Sequence, residues 1–205
     1  IDMKEKIKNS SYLLLSMSIF LSYAIRHRNH VDMLHRLSYH DLLTNALNRN
    51  AFMDVLSQFR PGQYASAGII YIDINGMKEI NDFYGHHQGD KILITTVAKV
   101  FNLFKPDELF RIGGDEFSLV VCTEFDESLC FRIKEQIQNR LCAPFDIDGK
   151  TLYVGSSCGY AAYPNDASTA NEIRILADQR MYAEKEKHHM FSSLSSSSTG
   201  SGLEK

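Results

Sequence analysis

The run Arg111-Ile112-Gly113-Gly114-Asp115-Glu116-Phe117 places two acids directly after two glycines, ahead of an apolar stretch from Phe117 to Val121. Gly-Gly suits a two-residue hairpin turn, because both central residues can take positive φ at no steric cost. Bare backbone there also lets a bulky ligand come close. Adjacent carboxylates leading into a buried strand are costly unless a cation neutralises them. A divalent metal with a phosphate substrate is the natural candidate. Asp73 stands near the end of a second apolar run, Ala67 to Ile74. Alone it reads as an ordinary strand terminator. Facing Asp115 and Glu116 across a sheet, it would complete a pocket of oxygens of the kind Mg²⁺ prefers, with phosphate oxygens and water filling the shell.

Asn81 and Asp90 follow Asp73 in a polar, glycine-containing stretch. A carboxylate can accept from the N1–H and 2-amino group of guanine, and an amide can donate to a guanine acceptor. Adenine lacks that donor pair, so buried partners would be left unpaired and adenine rejected. The alternative is turn chemistry for Asn81 and a helix cap for Asp90.

These residues need a scaffold. Phe52, Val55, Leu56 and Phe59 have the spacing of an amphipathic helix, ended by Pro61-Gly62. Ala67 to Ile74 reads as a central strand. Leu93, Val97, Val100 and Phe104 predict a helix, and Leu109 to Ile112 with Phe117 to Val121 a hairpin. Leu129, Ile133, Ile137 and Leu141 predict another helix, ended near Pro144, and Leu152 to Ala161 a strand. Thr169 with Glu172 is a capping box opening a last helix through about Lys187. The alternation predicts one α/β sandwich with helices over a sheet.

Three zones result: a helix over residues 1–38, a globular domain over 39–190, and a flexible Ser/Gly-rich tail over 191–205. In the first zone Leu14, Met17, Leu21, Ala24, Leu34 and Leu37 recur at helical spacing, which predicts a dimerising coiled coil with an irregular seam. Tyr12 to Ile25 is apolar but contains Ser16, Ser18 and Ser22, and is shorter than the roughly 20 residues a membrane span needs. His27, His30 and His35 read as exposed helix histidines rather than metal ligands.

The 205 residues are 44% hydrophobic and 23% charged, with net charge -3, which gives no reason to expect a nucleic-acid partner. Cys122, Cys130, Cys142 and Cys158 form no Cys-x-x-Cys pair and read as reduced packing thiols of a cytoplasmic domain. The chain opens on Ile1, so it reads as a piece of something longer, whose membrane anchoring is left open.

The run Arg111 to Phe117 resembles the signature of the GGDEF-domain diguanylate cyclases. Asp41 to Arg49 resembles that family's opening D-x-L-T-x-L-x-N-R, with Ala46 at the second leucine position, and Asp73 to Asp90 matches its D-x-[DN] and N-D-x-x-G-H-x-x-G-D segment. Ala177-Asp178-Gln179-Arg180-Met181-Tyr182 resembles its closing helix. Together the motifs span about Ser38 to His189.

The resemblance implies a mainly antiparallel α+β sheet covered by helices, like the nucleotidyl cyclase and polymerase palm. It implies condensation of two GTP into cyclic di-GMP with release of pyrophosphate, by two sites facing each other in a homodimer joined through the first helix. An upstream sensor would set the register of that helix. By position, Asp73, the Ile74 carbonyl, Asp115 and Glu116 would hold Mg²⁺, two ions per site, with Mn²⁺ as a substitute. Asp115 takes the place usually given to the catalytic base, though it could act mainly as a metal ligand, and Glu116 supports the metal. Asn81, His86 and Asp90 would hold the nucleotide. Lys78 and Lys185 are candidates for phosphate contact, with plain surface lysines as the alternative.

Three departures stand out. Phe104-Lys105-Pro106-Asp107 occupies the place of an Arg-x-x-Asp inhibitory product site and lacks its arginine. That predicts weak or absent feedback inhibition. Arg180 and Glu184 replace small residues in the closing helix, and His189 stands where a second basic phosphate contact is common. The competing reading is a catalytically degenerate, GTP-binding regulatory module. A purely structural dimerisation domain would leave the acids unexplained.

Overall fold

The computed structural model describes residues 3–101, 108–121 and 127–198. Two compact units divide the chain, Ile1–Tyr39 and His40–Lys205. The first is one helix, α1, Met3–Tyr39. No glycine or proline interrupts it. Leu13, Leu14, Leu15, Met17, Ile19, Phe20 and Leu21 are all exposed. Consecutive residues point around a helix, so the apolar surface here wraps the circumference and is wider than a coiled-coil seam. No helix among the described residues is long and apolar enough to cross a membrane.

The second unit is built on a five-stranded sheet in the order β1-β3-β4-β2-β7. The strands are β1 (Leu47–Asn48), β2 (Ala67–Asn75), β3 (Leu109–Arg111), β4 (Glu116–Val121) and β7 (Gly155–Tyr163). Every pairing is antiparallel except β1 with β3. The helices are α2 (Arg49–Gln58), α3 (Met77–Tyr84), α4 (His86–Phe101), α5 (Glu127–Cys142) and α6 (Ala170–Ser198). A small hairpin, β5 (Phe145–Ile147) with β6 (Lys150–Leu152), stands apart from the main sheet.

β2 is central, so both of its faces are covered and its sequence reads as a continuous apolar run. Ile70, Ile72 and Ile74 point to one face and join the core with Ile92, Val97, Ile137 and Leu141 from α4 and α5. Tyr71 points to the other, where Phe52 of α2 meets its ring edge-on at 6.0 Å and Phe110 lies 5.4 Å from Phe52. α6 covers that second face. Gly159 on β7 lets it settle there: a Cβ would run into the α6 backbone at Ala177 and Met181.

Three sequence expectations need correction. Gly113 and Gly114 are not the positive-φ turn; neither has positive φ. Arg111 pairs with Phe117, and Ile112 and Gly113 both donate to the Glu116 carbonyl, so the connection is a longer loop. The positive-φ pair is Asp148-Gly149, at φ 53° and 73°, in the β5–β6 turn that sequence periodicity left unread. The strand expected over Leu152 to Ala161 is two strands, β6 ending at Leu152 and β7 beginning at Gly155. The last helix continues to Ser198, into the segment expected to be a flexible tail. No helix breaker occurs before Gly200. The Thr169–Glu172 capping box forms as expected, with Thr169 N–H donating to Glu172 and Glu172 N–H to Thr169 Oγ1. Cys142 is exposed and Cys158 buried, both free thiols. Burial pushes the Cys158 thiol up to about 12. Cys122 lies outside the described residues.

β7 is the sheet edge, and its outer side is clad. Glu184 accepts from Cys158 N–H, Arg180 donates to the Tyr160 carbonyl, Asp166 accepts from Ala162 N–H and Gln138 donates to the Ser156 carbonyl. Glu184 also pairs with Lys134, and Arg180 with Asp166. Arg180 and Glu184 are therefore spent on the strand edge.

Candidate active site

β2 delivers Asp73 to the same face as Glu116, its direct partner on β4. Asp73 is 1% exposed, and its Oδ2 accepts from Lys185 Nζ of α6 at 2.6 Å. Arg174, Asp178 and Lys185 lie at i, i+4 and i+11, one face of α6. Arg174 hydrogen-bonds Tyr71, whose pKa is raised, chiefly by burial. Burial, then the charges of Asp73, Asp115 and Asp178, pushes the Glu116 carboxyl above its ordinary value against the pull of Lys185. Burial works to lower Lys185, but its hydrogen bond to Asp73 and the surrounding carboxylates outweigh it and hold the ammonium above its ordinary value. The cluster thus carries more negative charge than its lysine balances.

Beside it lies an open pocket of about 400 Å³ whose lining includes Lys78, Asn81, His86, Asp90, Arg111 and Asp115. Asp115 links the two groups, since its carbonyl accepts from Ile74 N–H at 3.1 Å. Gly76, at φ 79°, turns the chain directly from β2 into α3, and no side chain caps the first turn of α3. Its N–H groups suit an anion. Gly89 gives Asn81 room: a Cβ there would collide with the Asn81 amide. Arg111 braces the signature loop. Its Nη2 and Nε donate to the Gly114 carbonyl at 2.7 and 3.2 Å, and its Nη1 donates to Asp41 at 2.8 Å. Burial opposes ionisation of Asp41, but hydrogen bonds from Thr44 and Arg111 hold its carboxyl below the usual carboxylate range.

Among the described residues no three His, Cys, Asp or Glu side chains form a ready-made ion cage. The donor set nevertheless fits Mg²⁺: two or three adjacent carboxylates with excess negative charge beside an open pocket, where phosphate and water would supply the remaining ligands. All the expected nucleotide residues except Lys185 line the pocket, and Lys185 joins the expected metal carboxylates. Ile74 contributes its N–H to the loop contact and buries its side chain. The Phe104-to-Asp107 segment lies outside the described residues, as does any side-chain contact of His189.

Sequence reading passed over Arg111, Asp178 and Asp41 as working parts. Arg111 and Asp41 stand 70 residues apart, and no spacing rule joins them. The signal for Asp178 was its helical register with Lys185.

Residues 38–190 match the family model described as diguanylate cyclase, GGDEF domain. The chain belongs to the GGDEF-domain family. It is 32% identical over 156 residues to the bifunctional diguanylate cyclase/cyclic di-GMP phosphodiesterase MucR of Pseudomonas aeruginosa, covering 74% of this chain and 23% of MucR. The chain therefore spans about a quarter of that relative's length. The solved GGDEF domain of TpbB from Pseudomonas aeruginosa is similar at TM-score 0.64 and 28% identity, over 73% of this chain and 90% of that one. The coiled coil and GGDEF domain of DgcB from Caulobacter crescentus, solved with c-di-GMP, shares the fold at TM-score 0.74 and 23% identity, over 85% and 95% of the two chains.

Proposed function

We propose that this GGDEF domain is an active diguanylate cyclase that condenses two GTP into cyclic di-GMP and two pyrophosphates. The observation that carries the reading is the intact acid set, Asp73, Asp115 and Glu116, gathered beside a pocket lined by Asn81, His86 and Asp90.

Asn81 and Asp90 take the guanine base. The uncapped first turn of α3, with Lys78 on it, takes the phosphates, and Lys185 adds charge from α6. Asp73, Asp115 and Glu116, with the Ile74 carbonyl, hold Mg²⁺. When bound, the metal lowers the proton affinity of the ribose 3′-hydroxyl and offsets charge on the leaving pyrophosphate. Asp115, at the junction of pocket and cluster, accepts or relays the 3′-proton. One pocket holds one GTP, so closure of the product ring needs a second copy. The exposed apolar surface of α1 supports pairing through that helix, under the control of a sensor in a longer chain, with the domain working in the cytoplasm where GTP is found.

Incubating the chain with GTP and Mg²⁺ and resolving the products by chromatography tests this. Cyclic di-GMP should form, and Asp115→Ala should lower the rate at least about 100-fold, as loss of a metal ligand and proton acceptor does. Binding of GTP without any product would favour the regulatory-module reading.

A further inference from the structure

The β5–β6 hairpin touches the back of the pocket wall. Asp148, first residue of its turn, accepts from Lys91 Nζ at 2.6 and 2.5 Å and from Gln88 Nε2 at 3.0 Å. Lys150, on the other side of the turn, lies over the ring of Tyr84, 5.5 Å from its centroid. Tyr84 ends α3, and Gln88 and Lys91 lie in the first turns of α4. One turn thus grips both sides of the α3–α4 corner, where Gly85 takes φ 84°.

Asp90 sits between Gln88 and Lys91 in sequence and lines the pocket, as does His86. Gln88 and Lys91, three residues apart, share the helix face that meets the hairpin. The hydrogen bonds donated by Lys91 and Gln88 stabilise the ionised carboxylate of Asp148 and hold it below the usual carboxylate range. The acid is ionised wherever the domain is folded near neutrality.

We infer that the Asp148-Gly149 turn is a clamp that positions the first turns of α4, so that Asp148 and Lys91 are positioning residues for nucleotide recognition by Asp90 and His86. The inference rests on the GTP reading above. It adds a polar link 57 residues away in sequence that nothing in the nucleotide motif contains. The clamp touches no substrate. It acts by limiting the orientations of α4, which lowers the ordering cost of binding.

Asp148→Asn is the informative variant, since asparagine tolerates the positive φ of that position and retains one acceptor for Gln88. Lys91→Met removes the other partner and leaves the turn intact. Binding of a non-hydrolysable GTP analogue with Mg²⁺, and of the ATP counterpart, is measured for each variant and for the unsubstituted chain. Amide hydrogen exchange is followed over residues 86–91. Each variant should weaken the GTP analogue about three- to fivefold, the upper end of what an exposed ion pair supports. GTP-over-ATP preference should fall, exchange over 86–91 should quicken, and the double variant should be no worse than either single one. Unchanged affinity and preference in both variants overturns the inference, whether or not exchange quickens. If the unsubstituted chain binds no GTP analogue, the GTP reading falls and takes the inference with it.

Discussion

Glu116 is the residue at which the cluster's electrostatics can be measured. Its carboxyl is pushed up, first by burial and then by Asp73, Asp115 and Asp178. A raised acid costs folding stability at neutral pH, and the cost fades as pH falls through its folded pKa toward the ordinary value of 4.5. Glu116→Gln should therefore melt higher than the unsubstituted chain at pH 7 without Mg²⁺. The gain should shrink as pH falls toward 4.5. Thermal melts across that window check it, and a gain independent of pH would refute the electrostatic account. Adding Mg²⁺ should narrow the difference at pH 7, because a cation relieves the same repulsion. At this scale the sequence was readable where the candidate residues are local: Asp73, Asn81, Asp90, Asp115 and Glu116 stand in tight motifs, and the fold brings them to one carboxylate cluster and the pocket beside it. Arg111 with Asp41, and Asp178 with Glu116, were hidden because their meaning lies in contacts across the fold.

Among the elements, turn chemistry was legible but assigned to the wrong glycines. Gly113-Gly114 and Asp148-Gly149 both satisfy the composition of a tight hairpin turn. Only the second takes positive φ at both residues, because only there do two short strands need a two-residue connection with the twist it brings. The signature loop is held instead by Arg111 on the Gly114 carbonyl, with nothing within 4 Å of a Cβ built at Gly114. A second glycine makes the contrast testable. Gly159→Ala would drive a methyl group into the α6 backbone, and overpacking of this kind costs about 1–3 kcal/mol. Chemical denaturation should show that loss. A loss below about 0.5 kcal/mol would mean that α6 can retreat from the sheet at little cost. The central strand and the α4 and α5 core faces were plain in the periodicity, since burial fixes where apolar residues recur. The break between β6 and β7 was not, since Tyr153 and Val154 carry on the apolar pattern through the gap.

For the whole molecule, the proposed reaction needs two copies, and α1 supplies exposed apolar surface along much of its length. A chain beginning at His40 should retain GTP binding. Its specific rate of cyclic di-GMP formation should rise with protein concentration, whereas the chain with α1 should reach its full rate at lower concentration. Equal, concentration-independent rates for the two would remove α1 from assembly.

The clad edge of β7 bears on that assembly from another side. An open strand edge recruits any passing strand, and tethering two domains at high local concentration multiplies the hazard. Here Gln138, Glu184, Arg180 and Asp166 each engage one outward backbone group of β7 that a foreign strand would need. The β7 edge is thereby guarded against growth, so copies brought together as proposed would separate again rather than fuse through it, and their association would stay a reversible signal.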